Sequence, residues 1–241
     1  MLVYCKKSTI RKQHEKIKSN MKQSISILLA AFIVFSSCEN EVATKRILPI
    51  LGERDVDYKM IDGEEVADTI YHLVPDFEYL NQDSVLISSE SIKEKLWIVD
   101  FFFTSCPTIC PPMTSNMQSL NEATADLKEH VQFLSFSIDP KRDTPSNLRK
   151  YISARDIATA NWHFLTGEED ATHLLAKSFF NGAERNDEAD GGFGHTDYFA
   201  LVDTDGHVRG IYKGTDREQM DVLEADLRKL LKHEYGIEGS K

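Results

Sequence analysis

The sequence predicts an α/β fold, a central mixed sheet flanked by helices with an extra N-terminal hairpin, and three observations predict it. Leu96 to Phe103 is a nearly unbroken apolar run, the pattern of a strand buried on both faces. Met113, Met117, Leu120 and Leu127 follow at helical spacing, so a helix succeeds that strand directly. Near the C-terminus, two short apolar runs joined by Asp205-Gly206 precede a stretch with one apolar stripe.

The elements follow in order. Ile47 to Leu51 and the segments on either side of Asp62-Gly63 read as short strands, the Asp-Gly pair favouring a tight hairpin turn at the edge of the main sheet. After the buried strand and its helix, Val131 to Ile138 is a second strand. Pro145 to Ala154 is helical, with Thr144 as N-cap and Pro145 at the first helical position, where a missing N–H is harmless. A strand at Trp162 to Leu165, a helix near Glu168 to Phe179 and strands at Tyr198 to Val202 and Val208 to Tyr212 come next. Met220, Leu223, Leu227, Leu230 and Leu231 lie on a closing helix. Strand-helix alternation that ends in a hairpin and a final helix is the thioredoxin-like order.

The chain has 241 residues, enough for one domain plus leading segments. Seven Lys or Arg stand against one Glu in the first 38 residues, leaving 21 basic and 38 acidic side chains beyond them. Such an acidic body would repel phosphates, so no nucleic-acid partner is expected. The basic start leads to an apolar run, Ile25 to Phe35, then Ser36-Ser37-Cys38. That run is far shorter than the ~20 apolar residues a spanning helix needs, and reads as the core of an export signal. Small residues before a cysteine resemble the lipobox of bacterial lipoproteins, which would make Cys38 the lipidated first residue of a mature protein facing an oxidising compartment. Met21-Lys22 could itself begin a signal of normal size. The expected organisation is therefore 1–38 as leader and lipoprotein signal, 39–68 as tether and edge hairpin, and 69–241 as the folded domain.

Cys106 and Cys110 are the only cysteines after Cys38, and they sit where the buried strand turns into its helix. Pro111 and Pro112 suit a first helical turn, which places the pair at the helix N-terminus, where free N–H groups and the dipole favour a thiolate. Residues four apart on a helix lie ~5–6 Å apart between Cβ atoms, so both sulfurs can serve one ligand. The same separation also suits a plain structural disulfide. Two soft thiolates select Cu(I), zinc or an iron-sulfur cluster over hard ions. Structural zinc wants four ligands, while Cu(I) is satisfied by two sulfurs and an added imidazole accommodates Cu(II).

Of eight histidines, His14 lies in the leader; His72, His130, His173 and His233 fall in loops or on helix surfaces where solvation is the default. His163 belongs to one face of a strand, and His207 follows the Asp205-Gly206 turn towards water. His195 follows Gly191, Gly192 and Gly194 and precedes an apolar strand, which suggests a mobile loop ending at a rigid edge. A ligand carried on such a loop can close over an ion and release it. On the residues alone, a loop histidine without a role is the better reading.

Three spaced motifs now combine: Phe102-Phe103-Thr104-Ser105-Cys106-Pro107-Thr108-Ile109-Cys110-Pro111, Ser137-Ile138-Asp139-Pro140-Lys141-Arg142-Asp143-Thr144, and Gly194-His195-Thr196 before a strand and an Asp-Gly turn. Over residues 70 to 235 the chain resembles the Sco/SenC family. The resemblance implies a thioredoxin-like domain that holds one copper ion, as Cu(I) or Cu(II), through Cys106, Cys110 and His195. It further implies delivery of that copper to the binuclear centre of cytochrome oxidase, the partner being a copper-accepting subunit of a terminal oxidase. Asp139 matches the family pattern in a supporting role, with Pro140 and the Arg142-Asp143 pair fixing its loop near the site. A monomer anchored by lipid on the periplasmic face of a bacterial membrane is expected.

In this reading the protein is not an enzyme. A second reading is a thiol-disulfide oxidoreductase that uses Cys106 and Cys110 as a redox pair to keep a partner's cysteines reduced. Asp100, six residues before Cys106, would then be the proton acceptor, its pKa raised by burial; a carboxylate that reaches water at the strand end fits equally well. The spacing is one residue wider than the C-x-x-C of thioredoxin-type catalysts. A peroxidase is further off still, because Thr104 is two residues before Cys106 and not three.

Overall fold

The computed structural model describes residues 47–186 and 188–240. The leader, with Cys5 and Cys38, lies outside the described residues, as does the tether. A seven-stranded sheet forms the centre, in the order β11-β10-β5-β6-β7-β3-β4. Its middle is parallel: β5 (Leu96–Phe102) pairs with β6 (Val131–Ser137), and β6 with β7 (Trp162–Thr166). Every residue of β5 and β6 is buried, the reason their sequences are continuous and not alternating. Antiparallel strands complete both sides, β10 (Tyr198–Val202) with β11 (Val208–Lys213) on one and β3 (Glu78–Asn81) with β4 (Leu86–Ser88) on the other. The helices α1 (Cys110–Ala123), α2 (Pro145–Ser153), α3 (Glu169–Ser178) and α4 (Arg217–Glu234) flank this sheet. The architecture is thioredoxin-like.

The core is largely aromatic. Phe101 and Phe136 stack across β5 and β6 with ring centroids 5.3 Å apart, and Phe179, the residue after α3, meets Phe101 at 5.7 Å. Met113, Met117 and Leu120 are the buried stripe of α1, while Leu127 falls beyond the helix in a separate single turn. Thr144 occupies the N-cap position of α2 with extended backbone, though its side chain makes no capping bond.

Three expectations are corrected. The hairpin around Asp62-Gly63 forms, as β1 (Arg54–Ile61) and β2 (Glu64–Tyr71), with both turn residues at positive φ as a primed turn requires. It is a two-stranded sheet of its own, however: the edge strands of the main sheet are β11 and β4, the latter a strand of three residues that no periodicity could reveal, and neither pairs with it. Ile47 to Leu51 is not a strand: Pro49 has no N–H for a ladder, and the segment is held instead by Leu51 N–H donating to Val208 O at 2.8 Å and by the Arg209 side chain on Leu48 and Pro49 carbonyls. The stretch before β10 also contains a second short ribbon, β8 (Ala183–Arg185) against β9 (Phe193–His195), where a mobile loop was expected.

Candidate metal centre

Cys110 opens α1 and is buried; Cys106 lies in the turn between β5 and α1 and is buried as well. Pro111 and Pro112 occupy the first turn of α1, as their missing N–H groups allow. That turn is pinned from below by Asp143. Its carboxylate accepts from Thr104 N–H at 3.0 Å, from the Thr104 hydroxyl, and from the Ser137 hydroxyl at 2.6 Å. Burial nevertheless pushes the Asp143 carboxyl up, the hydrogen bonds opposing it.

His195 ends β9, where it pairs with buried Ala183. Its Nδ1 lies 3.0 Å from the Thr196 carbonyl oxygen, which can only accept, so Nδ1 carries the hydrogen and Nε2 presents its lone pair. Nε2 lies 3.3 Å from Cys110 Sγ. The Phe103 ring meets the imidazole edge-to-face at 5.6 Å and fixes its plane. Cys106 Sγ, Cys110 Sγ and a ring nitrogen of His195 all lie within 4.8 Å of one another. Three donors on segments 85 residues apart thus converge, with both thiols free.

The thiols are unequal. The hydrogen bond from Cys110 holds the Cys106 thiol well below its ordinary value, against the cost of burial, and His195 lowers it further. The Cys110 thiol is driven up, by donating that bond and by its burial. A soft cation takes both sulfurs as thiolates and displaces whatever protons they carry, so its binding is coupled to pH.

Asp100 lies in β5, 2% exposed, with Oδ1 lacking a hydrogen-bond partner. Burial pushes its carboxyl up to about 7, a hydrogen bond from Ser135 opposing the shift and the proximity of His195 adding to that opposition. The folded state therefore keeps a proton that the unfolded chain gives up at its ordinary 3.8. Stability from this group is full below that value and is lost as pH rises through about 7. In Asp100→Asn that part of the pH slope is expected to disappear, read from urea midpoints of both proteins across this window. An unchanged slope would remove Asp100 from the account.

Three other histidines make contacts within the fold. His72 Nε2 lies 2.8 Å from Ser178 O and His173 Nε2 lies 3.1 Å from Ile138 O, so neither is simply solvated. His207 turns to Asp203, at 3.4 Å, and not to water. Asp203, Asp205 and His207 also stand close together. There, Asp203 already accepts from the Asp205 and His207 N–H groups and from Arg209. Asp139 is buried beside the centre without joining the three donors. Thr196 and Phe103, which orient the imidazole, carried no signal of that role in the sequence.

Comparison with known proteins identifies what the chain is similar to. The family model described as SCO1/SenC matches residues 67–232. The SCO1 protein homolog of Bacillus subtilis (strain 168) is 34% identical over 167 residues, covering 69% of this chain and 86% of the relative. A candidate copper-binding protein of Stutzerimonas stutzeri is 34% identical over 142 residues, 57% of this chain and 67% of the relative. Among solved structures, BsSco, a member of the Sco family of cytochrome c oxidase assembly proteins with a disulfide switch, superposes with a TM-score of 0.59 at 34% identity, over 66% of this chain and 93% of that one.

Proposed function

The chain belongs to the SCO1/SenC family, and on that premise we propose that it is a copper metallochaperone that binds one copper ion as cargo and delivers it to the binuclear centre of cytochrome c oxidase. The observation that carries this reading is the convergence of Cys106, Cys110 and His195 within 4.8 Å. Two sulfurs suit Cu(I), and the imidazole with them suits Cu(II), so one site serves both oxidation states. The S. stutzeri relative supports copper, and the oxidase-assembly role of BsSco supports the acceptor. Release occurs by exchange of the three ligands for cysteines and histidines of a copper-accepting oxidase subunit. The protein acts as a monomer on the periplasmic face of a bacterial membrane, held by lipid at Cys38.

The reduced protein is expected to bind one equivalent of copper and to pass it stoichiometrically to a copper-free acceptor domain, followed by the charge-transfer absorption and nitrogen hyperfine structure of Cu(II). Failure of the reduced protein to bind copper would overturn this reading.

A second reading, a thiol-disulfide oxidoreductase that reduces the acceptor's cysteines, is favoured by one observation: the unequal thiol pair lies in the same site as a buried carboxyl, Asp100, whose charge acts on Cys110. The disulfide switch of BsSco supports it. Repeated turnover with an oxidised partner in the absence of copper separates catalysis from delivery.

A further inference from the structure

Resting on the copper reading for its chemistry, though not for its geometry, we propose that Arg142 is the positioning residue that holds the His195 ribbon against the dithiol turn. Its guanidinium touches three segments at once. Nη1 donates to Ser105 Oγ at 3.0 Å and to Gly191 O at 3.4 Å, and Nε lies 3.3 Å from Asp139 Oδ2. Ser105 directly precedes Cys106, and Gly191 enters the strand that ends at His195. Asp139 is 2% exposed and its Oδ2 has no other partner, so the guanidinium is aimed by a buried anion. A planar fork with several fixed donors can span such a set, while a lysine ammonium on a flexible stem cannot.

Gly191 shows why this contact reaches the metal ligand. It sits at φ +83°, and a Cβ there would lie 2.6 Å from the Phe103 ring. The ribbon's entry therefore rests directly on Phe103, the same ring that meets the His195 imidazole. Phe103 supports the ribbon from one side and Arg142 ties it laterally to the cysteine turn.

A second tie runs elsewhere. Glu169 accepts from Arg185 of β8 at 2.7 Å and pairs with Lys141 at 3.1 Å, fixing the outer strand to the Asp139–Asp143 loop. That tie touches neither Ser105 nor Gly191, so of the two charged ties Arg142 is the one that joins the ligand-bearing segments directly. The Arg142 side chain is 56% exposed, which keeps the hold weak and sensitive to salt. A third ligand held this lightly can leave the ion when an acceptor competes for it.

The experiment compares Arg142→Met, Arg142→Lys and Glu169→Gln with the parent by two readouts. The first needs no copper: amide exchange at Thr196 and Asn186, the main-chain donors that close the ribbon onto Gly182 and Gly192. Exchange is expected to quicken about threefold in Arg142→Met, the scale of a partly exposed charged contact, with the unfolding midpoint little changed. The second is the nitrogen coupling in the spin-resonance spectrum of the Cu(II)-loaded protein, expected to weaken in Arg142→Met, to fall between in Arg142→Lys, and to hold in Glu169→Gln. Unaltered exchange, unaltered nitrogen coupling, or equal losses in Glu169→Gln would each overturn the proposal. If the parent binds no copper, the copper reading fails while amide exchange still decides the role of Arg142.

Discussion

Cys110→Ser is expected to lower the affinity of the reduced protein for copper by more than about 100-fold, beyond the ~10–100-fold that follows loss of an outer partner of a metal ligand. The serine hydroxyl is a hard donor that stays protonated near neutrality, so the site loses a soft anionic ligand and keeps one thiolate and one imidazole. Cys110 is 1% exposed at the head of α1, and the fold should survive, since serine is close in size and can still reach main-chain partners at a helix N-terminus. The measurement is competition with a chromophoric copper chelator, paired with thermal unfolding of free and loaded protein. Binding to the native state alone stabilises it in proportion to the logarithm of ligand over Kd, so the copper-induced rise in midpoint should vanish with the affinity. Affinity within tenfold of the parent would mean that Cys110 is not a ligand. His195→Ala is expected to spare Cu(I) far more than Cu(II), because two sulfurs satisfy the first and not the second.

Arg209→Met is expected to cost about 3 kcal/mol of stability, towards the lower end of what is lost when a buried ion pair is left with one partner. Arg209 is 3% exposed. It donates to Asp203 at 3.0 Å, to both oxygens of Glu234 at 2.7 and 2.9 Å, and to the carbonyls of Leu48 at 2.7 Å and Pro49 at 3.3 Å. One side chain thus joins the entering chain, the β10–β11 turn and the end of α4. Without it, buried Asp203 loses its guanidinium partner, although two main-chain N–H groups and the His207 ring at 3.4 Å soften the loss. Urea unfolding of Arg209→Met checks the magnitude, and adding Asp203→Asn should recover part of it by removing the stranded charge. A cost under about 1 kcal/mol would show that the pair is screened as a surface pair is. The metal centre lies elsewhere on the sheet, so copper affinity is expected to be unchanged.

Much of the fold was legible because its central elements are defined by their own side chains. Leu96 to Phe103 could only be a doubly covered strand, and the stripe from Met220 to Leu231 only a helix packed on one face. The ribbon β8–β9 and the pair β3–β4 were not legible. Each strand has three or four residues, too few to show a period, and each exists only because a partner strand satisfies its main chain. Sequence periodicity therefore places His195 in a loop, and only the motif resemblance links it to the cysteines.

By itself, the sequence determined which residues are chemically suited to a soft metal: two cysteines at a strand-to-helix junction and a histidine after a run of glycines. Tertiary structure alone decided that they meet. Nε2 of His195 reaches Cys110 because a ribbon closed by main-chain bonds, supported by Phe103, carries it across 85 residues of chain. Tertiary structure also made the two thiols unequal, the Cys106 thiol lowered and the Cys110 thiol raised by their mutual hydrogen bond and by burial. The physical reason is locality: side-chain chemistry and short-range periodicity are written residue by residue, whereas convergence, burial and the local field are properties of groups brought together from distant parts of the chain.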